Sequence, residues 1–437
     1  MTKKKKQGGS IWLDSIFATA FIYLFMYLIS NISAFKIFDA FDSIGQALED
    51  MEMTDIAFSQ LRDPLPPDTS IVLVNMGPLG RGQIAQQLQI IDKYDPKVIG
   101  IDSFFKGYGP SNDTLGSIFL ADVLTNIKSD LVMVAMVQQS DSLKALHEGD
   151  EMYDILYTSD SMYTKKAHHA IANLETEAEY QDDIKICRQF PPQRDILGTD
   201  LKPIAFAAKM AEVFDPTSVE PLLERGNEFE IINYRGDFVN FFEEDKFATR
   251  FYALDWDQVL NEDFVPGLLK DKIVILGFMG EYFGAPEWED RFYTPLNSKI
   301  AGRANPDMFG PVIHANIVSM ILNRDYVDRL GETTENIIGL ILCYFNVVLF
   351  SFIYMRMGAW YDGATKLIQV VEVLVILFLI IYLFSWISFK LELTVGLFAI
   401  ALAGDLLEIY YGVIRNMVLK VADRLTSKRK KVVEEGT

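Results

Sequence analysis

The sequence is poor in the residues that most often carry covalent staples or acid–base chemistry. Only two cysteines occur among 437 residues, Cys187 and Cys343. Two thiols cannot build a disulfide framework, so the fold must rest on a buried core. Histidine is nearly as scarce, at four: His147, His168, His169 and His314. Neighbours such as His168 and His169 point to opposite faces of a strand, and no ligand at chelating spacing accompanies them, so no metal is expected. Gly-x-Ser-x-Gly and Walker sequences are both missing, and no catalytic constellation is apparent. Basic residues are outnumbered, 40 Lys and Arg against 60 Asp and Glu, for a net charge of −20. That balance disfavours nucleic acid, whose phosphates need a basic face. Neither an enzyme nor a cofactor is expected.

What the chain has in quantity is apolar sequence. Half of its residues are hydrophobic and the mean hydropathy is +0.15, high for a chain with 23% charged residues. Both facts hold if the apolar residues sit in membrane spans and the acids in a separate domain. Lys3 to Lys6 precede an apolar run over residues 16–32. The lysines put residues 1–15 in the cytoplasm, and the run reads as an uncleaved anchor rather than a cleaved signal peptide. Beyond it Ile37, Phe41, Ile44, Leu48 and Met51 repeat at heptad spacing. Residues 33–54 therefore read as a stalk helix, or as a helix packed on its own domain. Three further runs of spanning length cover residues 337–355, 367–387 and 394–413. Arg356, Lys366, Arg415 and the basic tail over 414–437 mark one side. Four spans with both ends in the cytoplasm satisfy every one of these marks.

Between the first and second spans, residues 55–328 contain no window of membrane length and read as one extracytoplasmic domain. Residues 71–105 suggest a βαβ unit: strand 71–74, helix 83–94 and strand 98–101, closed by Asp102. Such a unit seeds an α/β domain, a mixed or parallel sheet covered by helices. Gly77, Gly80 and Gly82 lie between strand and helix, but their spacing does not match a dinucleotide fingerprint, and a plain turn is the simpler reading. Other strands are expected at 56–61, 131–137, 170–174, 184–187, 229–233 and 273–276, with helices at 115–127, 203–213, 254–260 and 312–322. The polar stretch 139–168 has no clear period and reads as an insertion or flap.

An ordered set of short pieces in this domain resembles CHASE2, the extracytoplasmic sensory domain of bacterial transmembrane receptors. The pieces are the 55–62 segment, Ile71-Val72-Leu73-Val74, Arg81, Val98-Ile99-Gly100-Ile101-Asp102 and Asp182-Asp183 with Arg188. They continue with Asn233-Tyr234-Arg235-Gly236, the 272–277 strand, Asp290, Thr294-Pro295 and His314-Ala315-Asn316. The resemblance implies an α/β sensor domain with one span before it and two or three after, in the bacterial inner membrane and facing the periplasm. Asn75 stands where the family usually has an acid, the tryptophan-proline pair before Arg81 is missing, and Ile184 or Lys185 replaces a glycine. The family usually carries a kinase or cyclase after its last span. About 24 residues follow Val413 here, fewer than the ~50 a domain needs. The expectation is a receptor front end without its own output domain.

Two groups of residues are candidates for function. Asp102, Asp290, Thr294 and His314 follow or flank apolar strands and would form a polar cleft for a small molecule if their loops meet. The competing reading is that they cap helices and lock loops. In the membrane part Glu372, near the start of the third span, and Asp405 and Glu408, three apart on the fourth, need polar partners. A helix of another subunit would supply them, in a homo-oligomer or with other inner-membrane or periplasmic proteins. Snorkelling toward local lysines is the alternative, above all for Glu408. Two functions remain open: a sensory subunit relaying a periplasmic signal to a separate partner, and a structural subunit of a cell-envelope complex.

Overall fold

A computed structural model describes residues 11–30, 55, 57–109, 113–146, 152–174, 186–238, 247–286, 290–297, 305–357, 360–391, 393–415 and 417. The expected 33–54 stalk, the lysine-rich ends, His147 and Asp182-Asp183 lie outside these residues. The chain forms two units, residues 47–327 and residues 1–46 with 328–437. In chain order the elements are α1 (Ile11–Ser30), β1 (Ile71–Asn75), α2 (Arg81–Lys93), β2 (Val98–Asp102), α3 (Thr114–Asn126) and β3 (Asp130–Gln138). Then come β4 (Ile155–Thr158), β5 (His168–Ile171), α4 (Phe206–Phe214), β6 (Tyr252–Leu254), β7 (Ile273–Gly277) and α5 (Gly310–Asn323). The chain continues through α6 (Glu332–Met357), α7 (Tyr361–Ile387) and α8 (Thr394–Ile409).

The larger unit is built on a seven-stranded mixed sheet in the order β4-β3-β2-β7-β1-β6, with β5 also pairing β3. Only β4 runs antiparallel. β1, β7 and all but the last residue of β2 are buried, as parallel strands covered on both faces must be. One face carries Val72, Val74, Ile99, Ile101, Val274 and Leu276 against Ile84, Leu88 and Ile91 of α2 and Leu120 and Leu124 of α3. The other face takes α4 and α5. Gly100 lets α4 approach, since a methyl there would lie 2.2 Å from Met210 Sδ.

β1 and β2 flank α2 as expected, but they are not neighbours. β7 lies between them, pairing Val72 with Val274 on one side and Ile99 with the same residue on the other. The strand expected over 56–61 is instead a π-helical turn, Ala57–Leu61, closed by Arg62 N–H to Ala57 O at 2.9 Å. Phe58 is buried there with its ring edge-on to Tyr234. Segment 229–233 yields only Glu230–Ile231, an antiparallel ribbon with Gln189–Phe190 outside the main sheet. Of the expected 184–187 strand, Ile186 makes an isolated bridge to Tyr293. The helix expected from 254 starts at Trp256, because Leu254 completes β6 and Asp255 caps the turn. The polar 139–168 stretch contributes β4 to the sheet edge.

The other unit holds four helices long and apolar enough to cross a membrane. α6 and α8 approach at Gly339 and Gly396, where a methyl on the first would lie 3.0 Å from the Cα of the second. Small residues at such a crossing allow close backbone packing. A buried cluster of Ala18, Ile22, Cys343, Val347, Phe350, Ala399, Ala403 and Leu407 fills the interior. α8 ends in a π-helical turn, Tyr410–Ile414, beside an Arg415–Asp14 ion pair of 2.7 Å.

Candidate functional site

The carboxyl ends of the parallel strands converge on two side chains with opposite fates. At the end of β1, buried Asn75 donates through Nδ2 to Asp255 Oδ1 at 2.8 Å and to Gly280 O at 3.0 Å. Its Oδ1 accepts from the backbone N–H groups of Gly77 and Met279, and Gln87 Nε2 donates to its carbonyl. Asn75 thus fastens three loops and has no amide atom left for a ligand. Asp102, at the end of β2 and in register with Gly277 of β7, is half-buried. Among the described residues its carboxyl makes no hydrogen bond and no ion pair. Burial first, and the charge of Asp290 second, push that carboxyl up to about 7.

A short ribbon brings Asp290 near enough to Asp102 for its charge to be felt there. Arg291–Phe292 pairs antiparallel with Met308–Phe309, placing Arg291 opposite Phe309. Asp290 precedes one strand of the ribbon and Gly310, the first residue of α5, follows the other. The α5 start rests directly on the sheet: a methyl on Gly277 would lie 2.5 Å from Pro311 Cγ and 3.2 Å from Asp102 Cβ. A methyl on Gly310 would lie 3.5 Å from Asp102 Oδ2. Asp102 therefore faces the first turn of a 14-residue helix, whose N-terminus favours negative charge. The loop after Asp102 is held by Arg81, which donates to Gly107 O at 2.6 Å, Lys106 O at 2.7 Å and the Tyr163 hydroxyl at 2.7 Å.

Among the described residues no hydrogen bond or ion pair joins Thr294 or His314 to Asp102 or Asp290. Buried Thr294 donates its N–H and Oγ1 to Asp307 at 2.9 and 2.5 Å, and Asn297 Nδ2 reaches the same carboxylate at 3.1 Å. Burial pushes Asp307 up to about 6 against those bonds. Thr294 locks the ribbon loop. His314, buried in α5, sets its ring edge-on to Phe206 at 5.1 Å, and burial holds it down at about 4. It is neutral near pH 7 and ties α5 to α4.

Behind α5 lies a buried polar network that reasoning from residue types alone does not assemble. Arg235 Nε donates to Ser319 Oγ at 2.7 Å, and its other nitrogens to Pro66 O and to Asp325 Oδ2. Ser319 Oγ in turn donates its O–H to Asp68 Oδ2 at 2.6 Å. Asn316 accepts from the N–H groups of Arg235 and Gly236 and donates to Gly236 O and Val312 O. Arg62 donates to Asn233 Oδ1, whose Nδ2 donates to Asp325 O, and Arg188 pairs with Asp55 at 2.8 Å. The 233–236 and 314–316 motif residues and Arg62 were the available signal. Their role is to pin α5 to two loops.

In the helical unit Asp405 pairs with Lys366 at 2.5 Å, and Glu372 accepts from Asn346 Nδ2. Because α7 starts at Tyr361, Glu372 lies near its middle rather than near its start. Glu408 is exposed on α8 and makes no hydrogen bond or ion pair among the described residues. Among those residues, too, no group of three or more His, Cys, Asp or Glu is placed to hold a metal ion.

Comparison with known proteins adds the family. No curated protein and no solved structure matches the chain. The CHASE2 domain family matches over residues 43–354, most of the chain, and the motif residues that pin α5 lie inside that span. The chain belongs to the CHASE2 domain family, a family of sensory domains.

Proposed function

We propose that the chain is a multi-pass subunit of a bacterial inner membrane whose CHASE2 domain lies in the periplasm, senses there, and relays its state through the helical unit to a separate protein. It is read as a receptor, not an enzyme. The observation that carries this is the Asp102 carboxyl, which has no hydrogen-bond partner among the described residues at the strand-end position where α/β folds bind ligands. With Asp290 beside it, a small ligand that offers hydrogen-bond donors or a positive charge suits the mouth. Contact of Asp102 with the α5 start gives such a ligand a route to a helix held as a rigid piece by Arg235 and Asn316. Thr294, bonded to Asp307, and His314, packed on Phe206, are read as structural supports rather than ligand contacts.

A second reading, a structural subunit of an envelope complex, is favoured by Glu408. A carboxylate exposed on a spanning helix is costly in lipid and calls for a polar helix of another chain or a second copy. Native mass spectrometry of the full chain purified in mild detergent separates the two. A bound small molecule lost in Asp102→Ala, with the chain still folding cooperatively, supports sensing. Fixed partner chains that Asp102→Ala leaves in place, with no bound small molecule, support assembly.

A further inference from the structure

α7 carries a polar stripe into the apolar unit. Tyr361, Thr365, Gln369 and Glu372 are spaced by four, four and three residues and share one helix face. The first three are buried. Tyr361 donates its hydroxyl to Gly404 O at 2.8 Å and Thr365 to Tyr361 O at 2.9 Å. Gln369 Nε2 donates to Ile400 O at 3.1 Å and Ala401 O at 2.8 Å. The stripe ends at Glu372, near mid-helix, bonded to Asn346 near the middle of α6 (Glu332–Met357). Two apolar helices thus meet through a carboxyl and an amide at half their length.

The hydrogen bonding of that pair is incomplete. Asn346 is 6% exposed, yet its Oδ1 receives no donor. An ionised Glu372 cannot supply one, because a carboxylate only accepts. A protonated carboxyl can donate its O–H to the amide oxygen while its carbonyl accepts from the amide NH2, closing a ring of two bonds. One proton then satisfies the orphan acceptor and removes a charge from apolar surroundings. Three side-chain oxygens are too few for a hard cation, which takes about six. We propose that Glu372 and Asn346 form an intramembrane proton-binding site, reached along the Tyr361–Thr365–Gln369 stripe. It rests on the membrane placement proposed above and is independent of the site at Asp102.

The test treats carbonate-washed membranes containing the full chain with dicyclohexylcarbodiimide, which adds to protonated carboxyls in apolar surroundings. The labelled peptide is then located by mass spectrometry. Label is expected on Glu372 at neutral pH. None is expected at that position in Glu372→Gln, whose amide keeps the ring, so that its melting temperature matches the parent's. Asn346→Leu removes both the oxygen that would accept the carboxyl proton and the N–H that bonds the carboxyl, and labelling at alkaline pH is expected to differ from the parent's by about tenfold. An unlabelled Glu372 in a chain that stays in the washed membrane overturns the proposal, as does an Asn346→Leu chain that labels like the parent at every pH. Release of the chain by carbonate overturns the membrane placement, and the proposal with it.

Discussion

Replacing Asp102 by Asn keeps the side chain's shape and removes its titration. In the folded domain burial, and then Asp290, raise this carboxyl from 3.8 to about 7. The fold therefore holds a proton that the unfolded chain has already released, and the stability this supplies is lost as pH rises from about 4 to about 7. At about 1.4 kcal/mol per tenfold change in proton affinity, the whole displacement corresponds to about 4 kcal/mol. Asp102 is half-buried, and water screening brings the expected cost to about 2 kcal/mol once the group ionises. His314 acts with the opposite sign. Burial lowers it from 6.5 to about 4, so its contribution is present above about 6.5 and lost as pH falls through that window. The two slopes oppose each other in acid, and Asp102 stands clear of His314 only in mild alkali. The assay is thermal unfolding of the full chain in mild detergent at about pH 5 and about pH 8. Asp102→Asn is expected to melt about 1–3 °C above the parent at the lower pH, where about a third of the loss has already occurred, and about 4–8 °C above it at the higher. A variant that melts with the parent at both, or below it at both, refutes the reasoning.

Three further outcomes follow from packing and hydrogen bonding. Asn75→Asp puts a carboxylate 2.8 Å from that of Asp255 in place of an amide donor. A loss of about 2 kcal/mol or more at neutral pH, partly recovered on acidification, should appear in a pH series of melting curves. Arg235→Met removes the donors to Ser319, Pro66 and Asp325. It is expected to cost about 3–5 kcal/mol and to open the domain to limited proteolysis. Gly100→Ala drives a methyl to 2.2 Å from Met210 Sδ. The expected cost is about 1–3 kcal/mol, and a double-mutant cycle with Met210→Ala should show most of it relieved.

Strands buried on both faces were legible because nothing but a continuous apolar run survives there, and β1, β2, β3 and β7 stand where such runs occur. Edge strands were not. Tyr252 of β6 is exposed and no residue of β4 is buried, and each holds only three apolar residues, 155–157 and 252–254, too few to mark a strand. The insertion of β7 between β1 and β2 joins residues about 175 apart in sequence, and no local pattern encodes it. The position of Asp102 at the end of β2 was legible from the apolar run that precedes it. The partner of Thr294 was not, because Asp307 lies across a ribbon of two-residue strands. The start of the helix that carries Glu372 was not legible for a related reason. Asp362 and Lys366 interrupt the apolar run that marks a span, although the helix begins at Tyr361.

Placement of the CHASE2 domain outside the cytoplasm is tested most directly by cysteine accessibility. The two natural cysteines are buried, so a single introduced thiol reports alone. Val265 is 72% exposed in the domain, and Trp360, just before α7, is 75% exposed. A membrane-impermeant maleimide should label Val265→Cys in cells whose outer membrane alone is permeabilised, and Trp360→Cys only after the inner membrane is opened. Labelling of Trp360→Cys first, with Val265→Cys protected until lysis, would contradict the sensory reading at its root.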